Sequence, residues 1–315
     1  MPPASILVVG SVNMDMVMRV QRLPRPGETL MANGFMTAHG GKGANQAVAA
    51  ARLGARVSFA GAVGDDAFGA LQREGLAREG IHLDHLRTDP SLPTGVAQIL
   101  AAESGENMIV LAPGANHGLW AKDVEALRSI IASVDAVITQ LEIPVETVAA
   151  VLQIARECGT FSVLDVGSTV AVPESLIAAA DLVSPNETEA ESLTGITVDS
   201  IESAREAALR LREMGARHVV MKLGAQGCFY TGEEEILVPA FAIDAVDTTA
   251  SGDAFTAALV LAWGKASAVN ALRFANAAGA LAATVPGAQP SMPTLESVRA
   301  FLLARDCAEA ASIGG

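Results

Sequence analysis

The feature that most limits the fold of this chain is a rhythm. Apolar runs of four to seven residues, bounded by small or turn-forming residues, alternate with longer amphipathic or alanine-rich stretches. The runs fall at residues 6–10, 55–61, 136–140, 161–165, 181–184 and 218–221, and the first crossover stretch, residues 44–52, is closed by Gly54. A strand that is apolar throughout is buried on both faces, and joining two parallel strands takes a crossover, usually a helix. The alternation therefore predicts a doubly wound α/β layer. Two stretches break it: residues 16–38, with Leu-Pro-Arg-Pro-Gly-Glu at 23–28, and residues 94–112, with Ser-Gly-Glu-Asn at 104–107. Both read as short strands joined by turns, suited to a small sheet projecting from the layer as a lid. A length of 315 residues accommodates one large α/β domain with an appendage, or two domains. We take it as one domain over residues 1–315 carrying the lid strands, with residues 308–315 as a frayed tail.

Composition bears on partners. Thirty-five acidic residues against twenty-one basic ones give a net charge of -14, an average field that repels nucleic acid and anionic membranes. Acidity also opposes a phosphate ligand, so any nucleotide has to be met by a local positive field. The first residues carry no basic n-region, and the apolar run at residues 6–9 is too short for a signal or a membrane span. Cys158, Cys228 and Cys307 lack the spacing of a zinc site or a disulfide framework, which predicts reduced, buried thiols and a cytoplasmic location. His82 and His85 have no partnering cysteine or acid cluster nearby in sequence and read as surface residues.

Four segments could carry chemistry. Gly-Gly-Lys-Gly-Ala-Asn-Gln at residues 40–46 opens the alanine-rich stretch. Paired glycines allow close backbone approach to a ligand, a helix start aims N–H groups at it, and Lys42 and Asn45 add directed donors. A flexible loop entering a helix explains the same spacing, and neither a Walker A loop nor Gly-x-Gly-x-x-Gly after the first strand is present. Gly-Ser-Val-Asn-Met-Asp at 10–15 sets Asn13 and Asp15 at the carboxyl end of the first strand, where open α/β sheets bind ligands. That amide and carboxylate suit polyol hydroxyls, or equally a turn or helix cap. Asp-Thr-Thr-Ala-Ser-Gly-Asp at 247–253 runs into an apolar helix ending near Trp263 and Gly264. The small residues Ala250, Ser251 and Gly252 leave amides at a helix start free to stabilise charge on a transferring phosphoryl group, and Asp253 beside them can accept a hydroxyl proton. A plain acid in a first helical turn is the alternative. Asp247 and Thr249 offer oxygens to a hard cation. Asn-Glu-Thr-Glu at 186–189 could hold Mg²⁺ through water, Glu189 included, or could simply be a capping box.

Taken in order over residues 6–301, these four motifs resemble the ribokinase-like (PfkB-type) carbohydrate kinases. The form of residues 40–46, with Gly-Ala-Gln-Pro-Ser at 287–291, is closer to the ribose-phosphorylating branch than to the fructose, adenosine or 2-keto-3-deoxygluconate branches. The resemblance implies a three-layer, mainly parallel doubly wound sheet flanked by helices, with a small β-sheet lid that covers the sugar and makes a homodimer contact. It implies transfer from ATP to the 5-hydroxyl of D-ribose, with Mg²⁺ and K⁺ as cofactors. By the same resemblance Asn13, Asp15, Gly41, Lys42, Gly43, Asn45 and Glu142 hold the sugar, and Asp253 is the base, with Ala250, Ser251 and Gly252 at the phosphoryl group. Asn186, Lys222, Leu223, Gly224, Ala225, Gln226, Gly227, Gly252 and Asn276 meet the nucleotide. Oxygens of Asp247, Thr249, Ala282, Val285, Gly287 and Ser291 form the monovalent-cation site. The sequence departs from the family where many members have Asn-Pro-Ala-Pro-Ala, here Asp-Val-Gly-Ser-Thr at 165–169, and where threonine is common, here Lys222. These changes bear on the sugar and the nucleotide preference. A kinase for deoxyribose, another furanose or a nucleoside is the alternative, and a sugar sensor without catalysis a remote one.

Overall fold

Among the described residues this pattern forms thirteen strands: β1 (Ser5–Val9), β2 (Asn13–Val20), β3 (Gly34–Gly40), β4 (Arg56–Gly64), β5 (His82–Asp89), β6 (Gly95–Ala102), β7 (Asn107–Ala112), β8 (Ala136–Gln140), β9 (Phe161–Asp165), β10 (Leu182–Val183), β11 (His218–Lys222), β12 (Cys228–Thr231) and β13 (Glu235–Val238). The structure is a computed structural model that describes residues 4–104, 106–167 and 172–314. Gly105, Ser168 and Thr169, each part of a motif above, lie outside the described residues.

Nine strands form one sheet in the order β13-β12-β11-β10-β9-β8-β1-β4-β5. It is parallel from β5 across to β11, and β12 and β13 add an antiparallel edge. Both faces are covered. Ile6 and Val8 of β1 join Ile138 of β8 in one core with the Lys42–Arg52, Ser251–Ala262 and Ala268–Ala282 helices, while Leu7, Val9 and Val137 point into a second core with the Val145–Cys158 and Ile201–Glu213 helices. Side chains alternate across a strand, so an unbroken apolar run is what a strand between two helical layers needs. The layer is the doubly wound α/β sheet expected from the rhythm, three layers deep.

The chain leaves β1 for β4 on one side and later returns to β8 on the other, which makes the β1–β8 boundary the point where strand order reverses. A crevice forms at such a point outside the carboxyl ends of the strands. A second sheet, β3-β2-β6-β7, is built from the two stretches that interrupt the rhythm. Its β2 pairs in parallel with β6, and hairpins add β3 and β7.

The sequence expectations need correction at three points. The 181–184 run shrinks to the two-residue β10, which sits between β9 and β11. The tail is no frayed end, because Ala308–Ala311 is helical and Ala310, Ala311 and Ile313 are buried in the first core. Of the three free thiols only Cys228 is buried, whereas Cys158 and Cys307 are partly exposed.

Candidate active site

The glycines of residues 40–43 serve the chain's own packing first. A Cβ on Gly40 would lie 2.2 Å from Asp15 Oδ1, and one on Gly43 would lie 2.7 Å from the Ser11 nitrogen. Gly41, at φ 91°, would drive a Cβ to 2.7 Å from the Asn13 nitrogen. The close approach read from the sequence is thus between the start of the Lys42–Arg52 helix and the segment linking β1 to β2. It brings Ser11, Asn13, Asp15 and Lys42 together at the carboxyl end of β1. Glu142, just past β8, closes the group. Its Oε2 accepts from Ser11 Oγ at 2.6 Å, from the Lys42 N–H at 3.2 Å and from Asn13 Nδ2 at 3.5 Å.

Asp253 enters from the opposite helix. Its Oδ2 accepts from Asn45 Nδ2 at 2.9 Å and its Oδ1 from Gln46 Nε2 at 3.1 Å, while Lys42 Nζ stands 4.0 Å away. Burial raises the Asp253 pKa to about 6 against the lowering effect of Lys42. Asp15 is raised further, to about 7, by burial and by the charges of Glu142 and Asp253. Burial works against the Lys42 ammonium, but Asp253, Asp165, Glu189 and Glu142 outweigh it and keep the lysine protonated. Asn45 Oδ1 is buried without a hydrogen-bond partner among the described residues, an acceptor left open in this cluster.

The helix from Ser251 begins at Ala250, held left-handed at φ 58°. Of the amides expected to be free, that of Ser251 is spent inside the chain on Thr248 O, and the neighbouring Asp253 N–H is spent on Ala250 O. Gly252 N–H has no such partner among the described residues. The Asn186–Glu189 segment is the capping box that its spacing allowed. Glu189 N–H donates to Asn186 Oδ1 at 2.8 Å and Asn186 N–H to Glu189 Oε2 at 2.9 Å, leaving Glu189 Oε1 3.9 Å from Lys42 Nζ. No group of three or more His, Cys, Asp or Glu among the described residues is arranged to hold a metal ion.

The remaining sequence-predicted residues take several positions. A backbone bridge brings Asn186 beside Lys222. Leu223 is buried, Gly224, Ala225 and Gln226 form an exposed 3-10 turn, and Gly227 is again buried against the β13 end, where a Cβ would lie 2.1 Å from Val238 O. The Asn276 amide donates to the carbonyls of Val238 and Pro239, fixing the helix it sits on against that same end. Asp247 ties two loops, accepting from Thr249 N–H at 2.9 Å and from Gly287 N–H at 2.8 Å. Burial opposes its ionised form, but these bonds keep its pKa below the ordinary value. Ala282 O accepts from Val285 N–H, and Ser291 Oγ donates to Ala288 O, in the loop facing Asp247.

Four groups were missed from the sequence. Asn116 fixes Asn13 by donating to its Oδ1 at 2.7 Å. Gln46, Gln140 and Asp165 form a buried polar core behind Asp253, with Gln140 Nε2 donating to Gln46 Oε1 at 2.6 Å. Gln46 stood within a quoted motif, and Gln140 and Asp165 end strands that point at the crevice. A polar residue closing an apolar run was the available signal.

The chain is similar to known proteins over most of its length. Ribokinase of Haemophilus influenzae is 40% identical over 95% of this chain and 98% of its own length, and that of Arabidopsis thaliana is 39% identical over 96% and 81%. The structure of Arabidopsis thaliana ribokinase complexed with ribose and ATP superposes with a TM-score of 0.87 at 37% identity, covering 96% of this chain and 99% of that one. The model of the pfkB family of carbohydrate kinases matches residues 3–295, which takes in every cluster described above, and the chain belongs to that family.

Proposed function

We propose that this protein transfers the γ-phosphoryl group of ATP to the 5-hydroxyl of D-ribose, giving ribose 5-phosphate. The observation that carries this reading is Asp253. It is a buried carboxylate in the first turn of a helix, with a pKa near 6, flanked by Asn45, Lys42 and a group of hydroxyl-binding side chains. Asn13, Asp15, Asn45 and Glu142 grip the sugar hydroxyls, and the unpartnered Asn45 Oδ1 takes one of them. Asp253 accepts the proton as the hydroxyl oxygen attacks, and Gly252 N–H faces the phosphoryl oxygens. Lys42, between Asp253 and Glu189, offsets charge between the two substrates. Glu189 would help hold, through water, the Mg²⁺ that accompanies ATP, an ion that would offset phosphate charge, and the adenosine end would lie along residues 222–227, Asn186 and Asn276. The similarity to ribokinases over nearly the full chain supports ribose as the acceptor.

The second sheet acts as a lid over the sugar. β7 exposes Met108, Ile109, Val110 and Leu111, and β3 exposes Phe35 and Met36, an apolar surface that a second copy of the lid would cover. A K⁺ ion between residues 247–249 and 282–291 would order the loop leading to Ala250, and Asp247, ionised and bridging both loops, fits that task. The enzyme works in the cytoplasm as a homodimer. No helix among the described residues is long and apolar enough to cross a membrane.

A panel of ribose, 2-deoxyribose, other furanoses and nucleosides with ATP, Mg²⁺ and K⁺ tests the substrate, with kcat/KM expected to be highest for ribose. Asp253→Asn lowers kcat by roughly 10²–10⁴-fold with ribose affinity retained. Near-normal turnover would remove Asp253 from the role of base. Replacing K⁺ with Na⁺ slows turnover, and equal rates in the two salts would count against the cation site.

A further inference from the structure

Two of the positions at which the sequence departs from the family pattern, Asp165 and Lys222, are the two ends of one ion pair. Lys222 Nζ, at the end of β11, lies 2.9 Å from Asp165 Oδ1, at the end of β9. The aspartate side chain is fully buried and that of the lysine only 11% exposed. The other aspartate oxygen, Oδ2, accepts from Thr256 Oγ1 at 2.8 Å and from Gln46 Nε2 at 2.9 Å. The same Gln46 amide nitrogen reaches Asp253 Oδ1 at 3.1 Å, and Gln140 fixes its orientation by donating to Gln46 Oε1. Lys222 Nζ stands 3.7 Å from where a Cβ would sit on Gly252, whose N–H has no hydrogen-bond partner among the described residues. One of the three ammonium hydrogens goes to Asp165, which leaves two donors at the start of the Ser251–Ala262 helix.

We infer that Asp165 is a positioning residue that fixes both substrates' sides of the site at once: the Lys222 ammonium as a phosphate-binding cation, and the Asp253 carboxylate through Gln46. This rests on the kinase reading above. A fully buried carboxylate needs a counter-charge, and Lys222 supplies it at contact distance while Lys42 adds a longer-range contribution. Only a lysine fixed from behind keeps its charge at one place as the phosphoryl group crosses, because an ammonium on a free four-carbon stem does not. The exchange of a neutral pair for Asp165 and Lys222 thereby adds a fixed positive charge without a net change in local charge.

The test compares the wild type with Lys222→Met, Asp165→Asn and the double variant. It measures steady-state kinetics in ATP, and calorimetric binding of a non-hydrolysable ATP analogue, adenosine and ribose. Lys222→Met is expected to weaken the analogue about tenfold or more while adenosine and ribose stay within about twofold. Asp165→Asn is expected to raise the KM for ATP and lower kcat together, and the double variant to lose no more than the worse single one. Unchanged analogue binding in Lys222→Met, or a double loss equal to the product of the single losses, overturns the inference. Should Lys222→Met fail to fold with Asp165 left buried, the double variant, which carries neither charge, supports the same comparison of analogue with adenosine. A wild-type protein that binds the analogue but phosphorylates no sugar would sink the function and leave the pair testable by binding alone.

Discussion

Asp15 and Asp253 share a physical difficulty, since burial raises the pKa of both, Glu142 raises both further, and Asp253 adds to the shift of Asp15. In the unfolded chain Asp15 ionises near 3.8, and in the folded protein only near 7. Between those values the folded state holds a proton that the unfolded state has released. The stability this group contributes is therefore full below about pH 4 and is lost as pH rises toward 7. Asp15→Asn is expected to unfold at higher urea than the wild type at pH 8, by about 2–4 kcal/mol, with the difference vanishing near pH 4. A variant less stable than wild type at pH 8 would mean that Asp15 is paired more favourably than its burial indicates. If Asp15 grips a sugar hydroxyl as proposed, function and stability oppose each other at this one residue.

At the scale of elements, the Ser251–Ala262 helix is buried along almost its whole length, and such a helix is a central one whose start must be set by its neighbours. Its sequence foretold the helix and its end near Trp263, but not which amides remain unspent, because that depends on Thr248 and Ala250 folding back on it. The C-terminal turn teaches the converse. Four residues of mostly alanine carry no amphipathic signature, so residues 308–315 read as a tail. Tertiary contact makes Ala310, Ala311 and Ile313 core: Arg299 donates to Ile313 O, Asn270 Nδ2 donates to Glu309, and Ile313 shares a cluster with Val298 and Leu302. Ile313→Asp is expected to cost about 2–4 kcal/mol, read as a lower denaturant midpoint with unchanged slope. A change within about 0.5 kcal/mol would return the segment to the status of a tail.

At the scale of the molecule, the site is assembled from the carboxyl ends of β1, β8, β9 and β11 and the starts of two facing helices, at the place where strand order reverses. The second sheet presents its apolar β7 surface away from that core, with Val110 62% exposed. A flat apolar edge on a folded protein invites pairing with another chain, and pairing two lids would remove it from water. If the second sheet is the proposed lid and dimer contact, Val110→Lys is expected to shift the protein from dimer to monomer in sedimentation velocity and to raise the KM for ribose. A wild-type protein that sediments as a monomer would overturn the proposed dimer.

The sequence by itself determined the layer, because strand and helix periods are local and survive without knowledge of the rest of the chain. It also marked the segments that carry Asn13, Lys42, Glu189 and Asp253, since each stands at a strand end or a helix start, where backbone groups are free. It misread what the glycines of residues 40–43 approach, and it could not see the tie from Lys222 through Asp165 and Gln46 to Asp253. Those four residues are separated along the chain by as many as 207 positions between Gln46 and Asp253. Only the order of strands brings them within hydrogen-bond distance, and a buried charge pair has no periodicity of its own. Two departures that looked independent in the sequence are one interaction in space, because a charge buried on β9 has to be balanced by whatever the fold sets beside it.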